Sequence, residues 1–190
     1  MRSLTSAVLA IAGVALLLGV VQHKAKADDD ERYEATEQQR IEQGFRIAPV
    51  HLTYDHDDSN NRDLVGLGSY IVNAVGGCSD CHTNPSYLPG GDPFRGQPKT
   101  VNSAHYLAGG QHFGPFVSRN LTPENGLPAG HSYKEFKYIL RTGYDFDYAH
   151  PQMGPLLQVM PWPTYQSMTD HEIKAIYTYL KAIPPASPGP

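Results

Sequence analysis

The chain has 190 residues, of which 40% are hydrophobic and 18% are charged, a balance typical of one globular domain. Fifteen Lys and Arg residues against nineteen Asp and Glu residues give a net charge of -4 without any basic tract, which argues against a nucleic-acid-binding protein. Two cysteines are too few for a disulfide framework or for a zinc site made of four thiolates.

Residues 1–27 have the pattern of a secretory signal peptide. Arg2 gives a positive start, residues 7–21 are apolar, and Ala25-Lys26-Ala27 is an Ala-x-Ala cleavage site. The apolar run is shorter than the roughly 20 residues of a membrane-spanning helix. We therefore expect export to the periplasm or another compartment outside the cytoplasm, and a remaining charge of -7. If the segment is not cleaved, it serves as an N-terminal membrane anchor.

Residues 28–61 are polar and acidic, with little apolar periodicity. This pattern predicts a leader or linker that wraps the domain or stays mobile. Its carboxylates lack the glycine and the closing glutamate of an EF-hand calcium loop, so we interpret it as a solvated acidic segment. The domain itself is expected over residues 62–185, followed by a short C-terminal tail at 186–190.

The first predicted helix covers residues 62–75, with Asn60 or Asn61 as its N-cap and apolar residues at helical spacing. Gly66 and Gly68 within it suit the close approach of another helix. The apolar positions are Leu64, Leu67, Ile71 and Val75.

Two later helices begin with capping boxes, in which a Ser or Thr precedes a Glu by three residues. One is predicted over residues 132–141, starting at Ser132. The other starts at Thr169 and ends before Pro184-Pro185, with Met168 positioned to staple onto Ile173. No segment alternates well enough to predict a strand. The fold is therefore mainly α, with three or more short helices and long loops, and so small a helical core predicts that something besides side chains fills the centre.

Cys78-Ser79-Asp80-Cys81-His82 is a C-x-x-C-H sequence, the attachment signature of c-type haem. Thiols one helical turn apart can each add to one vinyl group of the same porphyrin, and His82 then supplies an axial imidazole. We thus predict one haem c, attached through Cys78 and Cys81. A thioredoxin-like redox pair, a zinc site and a plain disulfide are the alternatives, but a helix rather than a strand precedes the motif.

The sixth iron ligand is predicted to be Met160, because Pro161 keeps the backbone extended and removes a competing donor. Met168 is set aside as the helix staple. The other candidates are a histidine or an open site, and Met153. The histidines considered are His105, His112 and His150.

Several of these motifs resemble class I (mitochondrial-type) cytochrome c domains and bacterial cytochrome c subunits that accept electrons from periplasmic dehydrogenases. The similar stretches, within about 62–185, are 68–72, 78–83, 120–123, 135–143, 160–162, 168–170 and 175–180. The resemblance implies a haem wrapped by the first and last helices, with His82 and Met160 on opposite faces of the ring. Such subunits often carry several haems, whereas this chain has one attachment motif.

Two axial protein ligands leave no open coordination position for a substrate, which favours one-electron transfer over oxygen chemistry. We expect a monohaem electron carrier that docks a donor dehydrogenase or quinol-oxidising complex and a terminal acceptor through small interfaces. The acidic charge favours a basic partner. A haem-based ligand sensor or peroxidase with a displaceable sixth ligand is the alternative, and a haem-free thiol–disulfide oxidoreductase is the third.

Candidate haem contacts are Trp162, Tyr165, Phe116 and, for a propionate, Arg119.

Overall fold

Two helices, one near each end of the domain, pack closely against each other. The computed structural model describes residues 36–145, 147 and 154–190, so the predictions for the signal peptide, His150 and Met153 lie outside the described residues. The helices are 36–47 (α1), Ser59–Tyr70 (α2), Cys78–His82 (α3), Tyr133–Thr142 (α4), Trp162–Tyr165 (α5) and Asp170–Ala182 (α6). Within these residues, none of the helices has the length and apolar character needed to cross a membrane.

The crossing of α2 and α6 depends on Gly68. A Cβ atom there would overlap the carbonyl oxygen of Ala175, so only glycine allows this approach, as the sequence predicted. The N-cap of α2 is Asp58 rather than Asn60 or Asn61, because the Asp58 carboxylate accepts the backbone N–H of Asn61 at 3.2 Å. After α2 the chain continues through one π-helical turn, Ile71–Val75.

Helix α1 lies in the segment that the sequence described only as an acidic leader. Ser69 Oγ donates a hydrogen bond to the Gly44 carbonyl at 2.7 Å, and a Cβ on Gly44 would overlap the Gly66 carbonyl. Ile41 is 3% exposed and joins the hydrophobic core. The part of this helix from residue 40 onward is therefore packed, and Ile41, Gly44 and Phe45 form its contact face at helical spacing. This face was missed because it covers only about one turn among polar and charged neighbours.

Both predicted capping boxes are confirmed. The Ser132 side chain accepts the backbone N–H of Glu135, and the Thr169 side chain accepts that of Glu172. Each glutamate carboxylate in turn accepts the backbone N–H of its N-cap residue. On α6, Tyr177 packs edge-to-face against Tyr133 and Phe136, at centroid distances of 5.4 and 5.5 Å. Tyr177 thus faces the α4 region.

Two short antiparallel hairpins occur where the sequence predicted no strand. They pair His112–Phe113 (β1) with Phe116–Val117 (β2), and Pro123–Glu124 (β3) with Leu127–Pro128 (β4). Each strand has two residues, which is too short for an alternating pattern to show in the sequence. Two 3-10 turns, Pro93–Arg95 and Ser103–His105, occur in the long loop between α3 and β1.

Candidate functional site

A largely apolar cavity of about 410 Å³ gathers the residues that the sequence singled out. Cys78, Cys81, His82 and Met160 all line it, although the first three lie about 80 residues before the fourth. Its volume is within the range of small-molecule and cofactor sites. The fold therefore brings the four predicted site residues to one place.

Helix α3 is fixed at both ends. Gly77, at its N-cap, has the left-handed conformation with φ +60°, in which a residue with a side chain would be strained. Thr83, at its C-cap, is fully buried, and its hydroxyl accepts the Leu107 backbone N–H at 3.0 Å and lies 3.1 Å from Ser79 Oγ. Thr83 thus ties the C-x-x-C-H helix to the loop that carries Leu107.

The two cysteines are free thiols, Cys78 partly buried and Cys81 exposed. Burial raises the pKa of Cys78 to about 12. Partial burial, with Asp80 nearby, also raises the pKa of Cys81. Both thiols are therefore protonated at neutral pH, whereas an activated cysteine nucleophile has a lowered pKa.

The His82 ring is oriented by a backbone acceptor. Its Nδ1 lies 2.7 Å from the Arg119 carbonyl oxygen, and because a carbonyl only accepts, Nδ1 carries the proton. Burial lowers the pKa of His82, which keeps the ring neutral at pH 7. Nε2 is then left with its lone pair, the arrangement in which histidine binds metals.

Two methionines of the described residues line the cavity, Met160 and Met168. The sequence interpretation set Met168 aside as the helix staple, but its position at the cavity makes it a second candidate for the sixth iron ligand. Two of the histidines considered do not line the cavity: His105 Nδ1 bonds to the Ser187 carbonyl at 2.9 Å, and His112 lies in β1 with an exposed side chain.

The aromatic residues divide into cavity walls and packing groups. Phe116 and Tyr165 line the cavity, whereas Trp162 does not. The Trp162 ring lies so close to Gly143 that a Cβ there would overlap it, and Trp162 Nε1 donates to the Leu157 carbonyl at 3.2 Å. Trp162 thus covers the C-terminal end of α4, and its contact with a haem stays a prediction.

Arg119 belongs to a polar cluster that sequence reasoning missed. Its guanidinium contacts His131 and Asp147 and lies 3.8 Å from Asp145 Oδ1. His131 and Asp145 are each 5% exposed, and both line the cavity with Arg119. The His131, Asp145 and Asp147 ligand atoms lie within 4.8 Å of one another, but the permanent cation of Arg119 makes this an ion-pair network.

Comparison with curated proteins gives a consistent result. The chain is 32% identical over 124 residues to a gluconate 2-dehydrogenase cytochrome c subunit of Pantoea cypripedii, covering 65% of this chain and 24% of that protein. It is 30% identical over 139 residues to a fructose dehydrogenase cytochrome subunit of Gluconobacter japonicus, covering 72% and 24%. The chain is a relative of dehydrogenase cytochrome c subunits.

A third relative supports the same relationship. It is the cytochrome c subunit of an alcohol dehydrogenase (quinone) of Gluconacetobacter polyoxogenes, 29% identical over 128 residues, with 66% of this chain and 25% of that protein covered. The chain thus spans about a quarter of the length of these curated relatives. No protein-family model matches it, and neither does any solved structure. The relationship is to the cytochrome c type, while the class I assignment stays a prediction.

Proposed function

We propose that this chain is a periplasmic monohaem c-type cytochrome. It would carry single electrons between a dehydrogenase or quinol-oxidising donor and a downstream acceptor. The observation that carries the proposal is the meeting of Cys78, Cys81, His82 and Met160 at one apolar cavity. The relatives are named as cytochrome subunits of dehydrogenases, which supports a role in electron transfer rather than in substrate oxidation.

The residues at the cavity fit a haem c. Two thiols one helical turn apart, on α3, are the groups that attach a porphyrin covalently. His82 is neutral and has its Nδ1 proton fixed on the Arg119 carbonyl, so Nε2 is the ring atom able to bind iron. Methionine sulfur and apolar walls complete the set of groups expected around such a cofactor.

When bound, the haem supplies the Fe(II)/Fe(III) couple, and the chain adjusts how easily electrons enter and leave it. A methionine thioether bound to the iron, here proposed to be that of Met160, would favour the reduced iron and raise the potential. Apolar walls around the cavity act in the same direction, because burial disfavours the extra positive charge of the oxidised state. The Arg119 carbonyl acts in the opposite direction. Its hydrogen bond makes the His82 imidazole more basic, which would favour the oxidised iron and lower the potential.

The number of haems follows from the cysteines. The chain has two, and both lie in the single C-x-x-C-H motif, so we propose one haem for this chain. The mature protein is expected outside the cytoplasm, where covalent haem attachment takes place. This location rests on the signal-peptide pattern of residues 1–27.

The deciding experiment compares absorption spectra of the wild type, Met160→Ala and Met168→Ala, each exported by a host able to attach haem c. We expect sharp c-type bands in all three reduced proteins, because Cys78, Cys81 and His82 are unchanged. The red-region sulfur-to-iron band of the oxidised protein should disappear only in Met160→Ala. That variant alone should bind carbon monoxide rapidly when reduced.

Other outcomes would overturn parts of the proposal. Loss of the sulfur-to-iron band in Met168→Ala alone would move the ligand to the methionine before α6. Rapid carbon monoxide binding by the wild type would instead favour the ligand sensor or peroxidase. A colourless, correctly exported wild-type protein would refute the cytochrome altogether.

A further inference from the structure

Residues 184–190, which follow α6, do not form a free tail. At their start, Asn120 Nδ2 donates to the Ala186 carbonyl at 2.8 Å, and the Ala186 N–H donates to Thr122 Oγ1 at 3.1 Å. Thr122 is 3% exposed, so this contact is made at a buried position. The segment is therefore bonded to the residues directly after Arg119.

The same segment is also held at its far end. Asn84 lies two residues after His82, and its Nδ2 donates a hydrogen bond to the Pro190 backbone oxygen at 3.1 Å. A Cβ on Gly189 would overlap the Asn84 carbonyl oxygen, and a Cβ on Gly110 would lie 2.9 Å from Pro188 Cβ. The segment thus lies against the chain on both sides of the His82 contact.

Between these two attachments lie the bonds that orient His82. Its ring donates to the Arg119 carbonyl at 2.7 Å, and its own carbonyl accepts the Gly109 N–H at 2.7 Å. A Cβ on Gly109, where φ is +74°, would overlap the peptide group of Arg119. The acceptor of the imidazole therefore belongs to a layer of loops, 105–110 and 118–122, rather than to a helix or a long strand.

We propose that residues 186–190, here called the strap, act as a positioning element for the His82 imidazole. The strap holds Asn120, and Asn120 follows directly on the residue whose carbonyl accepts the Nδ1 proton. This inference rests on the proposed function, in which His82 is the axial ligand of a haem. It adds that the orientation of that ligand depends on a segment about 100 residues further along the chain.

Two measurable consequences follow. Without the strap, Asn120 loses its hydrogen bond to Ala186, and the neighbouring Arg119 carbonyl is held less firmly. The Nδ1 proton of His82 should therefore exchange with solvent more than tenfold faster. The imidazole also becomes less basic when its hydrogen bond weakens, which disfavours the oxidised iron. The reduction potential should therefore rise.

The test uses three variants of the haem-loaded protein. One deletes residues 186–190, and the second is Asn120→Asp, which keeps the oxygen that accepts from Thr122 but replaces the donor to Ala186 with an acceptor. The control is Asn125→Asp, which makes the same charge change at an exposed turn residue between β3 and β4.

We expect faster Nδ1 proton exchange in the deletion and in Asn120→Asp, measured by NMR, and no change in Asn125→Asp. The potential is compared only for the deletion, because an added negative charge by itself lowers the potential. The backbone N–H of Tyr179, in the C-terminal half of α6, is the internal reference. If it accelerates in parallel with the His82 proton, or if the His82 proton does not accelerate, the proposal is overturned.

Failure of the proposed function gives a different result from failure of the strap. A wild type without haem refutes the cytochrome. In that case the exchange of the Gly109 N–H, which donates to the His82 carbonyl, is compared in the same variants. Acceleration of this proton relative to Tyr179 supports the strap, and its absence refutes it.

Discussion

At the scale of single residues, Tyr165 links the segment that carries Met160 to the turn before Cys78. Its hydroxyl donates to the Gly76 carbonyl at 2.9 Å, and its ring lines the cavity. Burial, with the two thiols nearby, raises the pKa of Tyr165 to about 12, so the hydroxyl remains a donor at all ordinary pH values. One hydrogen bond thus restrains the methionine side of the site against the cysteine side.

We predict that Tyr165→Phe lowers the free energy of unfolding by about 1–2 kcal/mol, because the Gly76 carbonyl loses its donor. It should also speed carbon monoxide binding to the reduced protein, since the Met160 segment is less restrained. Chemical denaturation and flash photolysis measure the two effects. Tyr144→Phe, at a half-exposed tyrosine that does not line the cavity, is the matched control. Equal carbon monoxide rates in the wild type and Tyr165→Phe would contradict the restraint.

At the scale of secondary-structure elements, α4 and α6 are joined by two ion pairs that share one carboxylate. Asp170, in the first turn of α6, lies 2.6 Å from Lys137 Nζ and 2.8 Å from Arg141 Nη2. The hydrogen bonds from these two side chains lower the pKa of Asp170. This carboxylate therefore fixes the start of α6 to the last turns of α4.

A lowered pKa in the folded state determines how acid affects stability. The contribution of Asp170 is complete above the ordinary pKa of an aspartate and is lost as the pH falls through its lower folded value. We predict that Asp170→Asn is less stable than the wild type at pH 7 and that the difference shrinks on acidification through that window. Urea unfolding at several pH values measures it, with Asp57→Asn, at an exposed aspartate away from these helices, as the control. A difference that stays constant with pH would contradict the assignment.

At the scale of the whole molecule, the cavity has an exposed apolar rim, and the chain as a whole is acidic. We define the rim as Val117 and Val159, which line the cavity and are 44% and 45% exposed. The net charge of the sequence is -4, and it is -7 for residues 28–190. Charge should therefore govern the rate of encounter with a basic partner, while the rim should govern how long the complex lasts.

We predict that electron transfer with a basic redox protein slows as ionic strength rises, because screening weakens the attraction. Val117→Ser and Val159→Ser should each weaken the complex about threefold to tenfold, from roughly 1 kcal/mol of lost apolar burial, without changing the salt dependence. Stopped-flow kinetics over a range of salt concentrations measure both quantities. Val75→Ser, at an exposed valine that does not line the cavity, should have no effect. A rate independent of salt would refute the electrostatic part.

The sequence determined the features whose physical cause is local. A capping box joins residues three positions apart, so Ser132 and Thr169 could be recognised as helix starts without knowledge of their surroundings. The C-x-x-C-H spacing is likewise a property of one helical turn. Gly68 could be assigned a close helix approach, although its partner, the Ala175 carbonyl, could not be named.

Only the tertiary structure decided the contacts between distant segments. The His82 acceptor lies 37 residues further along the chain, and the partner of Asn120 lies 66 residues away, so no spacing in the sequence signals either bond. The same holds for the Arg119 cluster and for Trp162, which packs on Gly143 instead of lining the cavity. Helical periodicity and local capping identify how a segment folds, whereas the partner of a buried polar group is set by where the whole chain places its donors and acceptors.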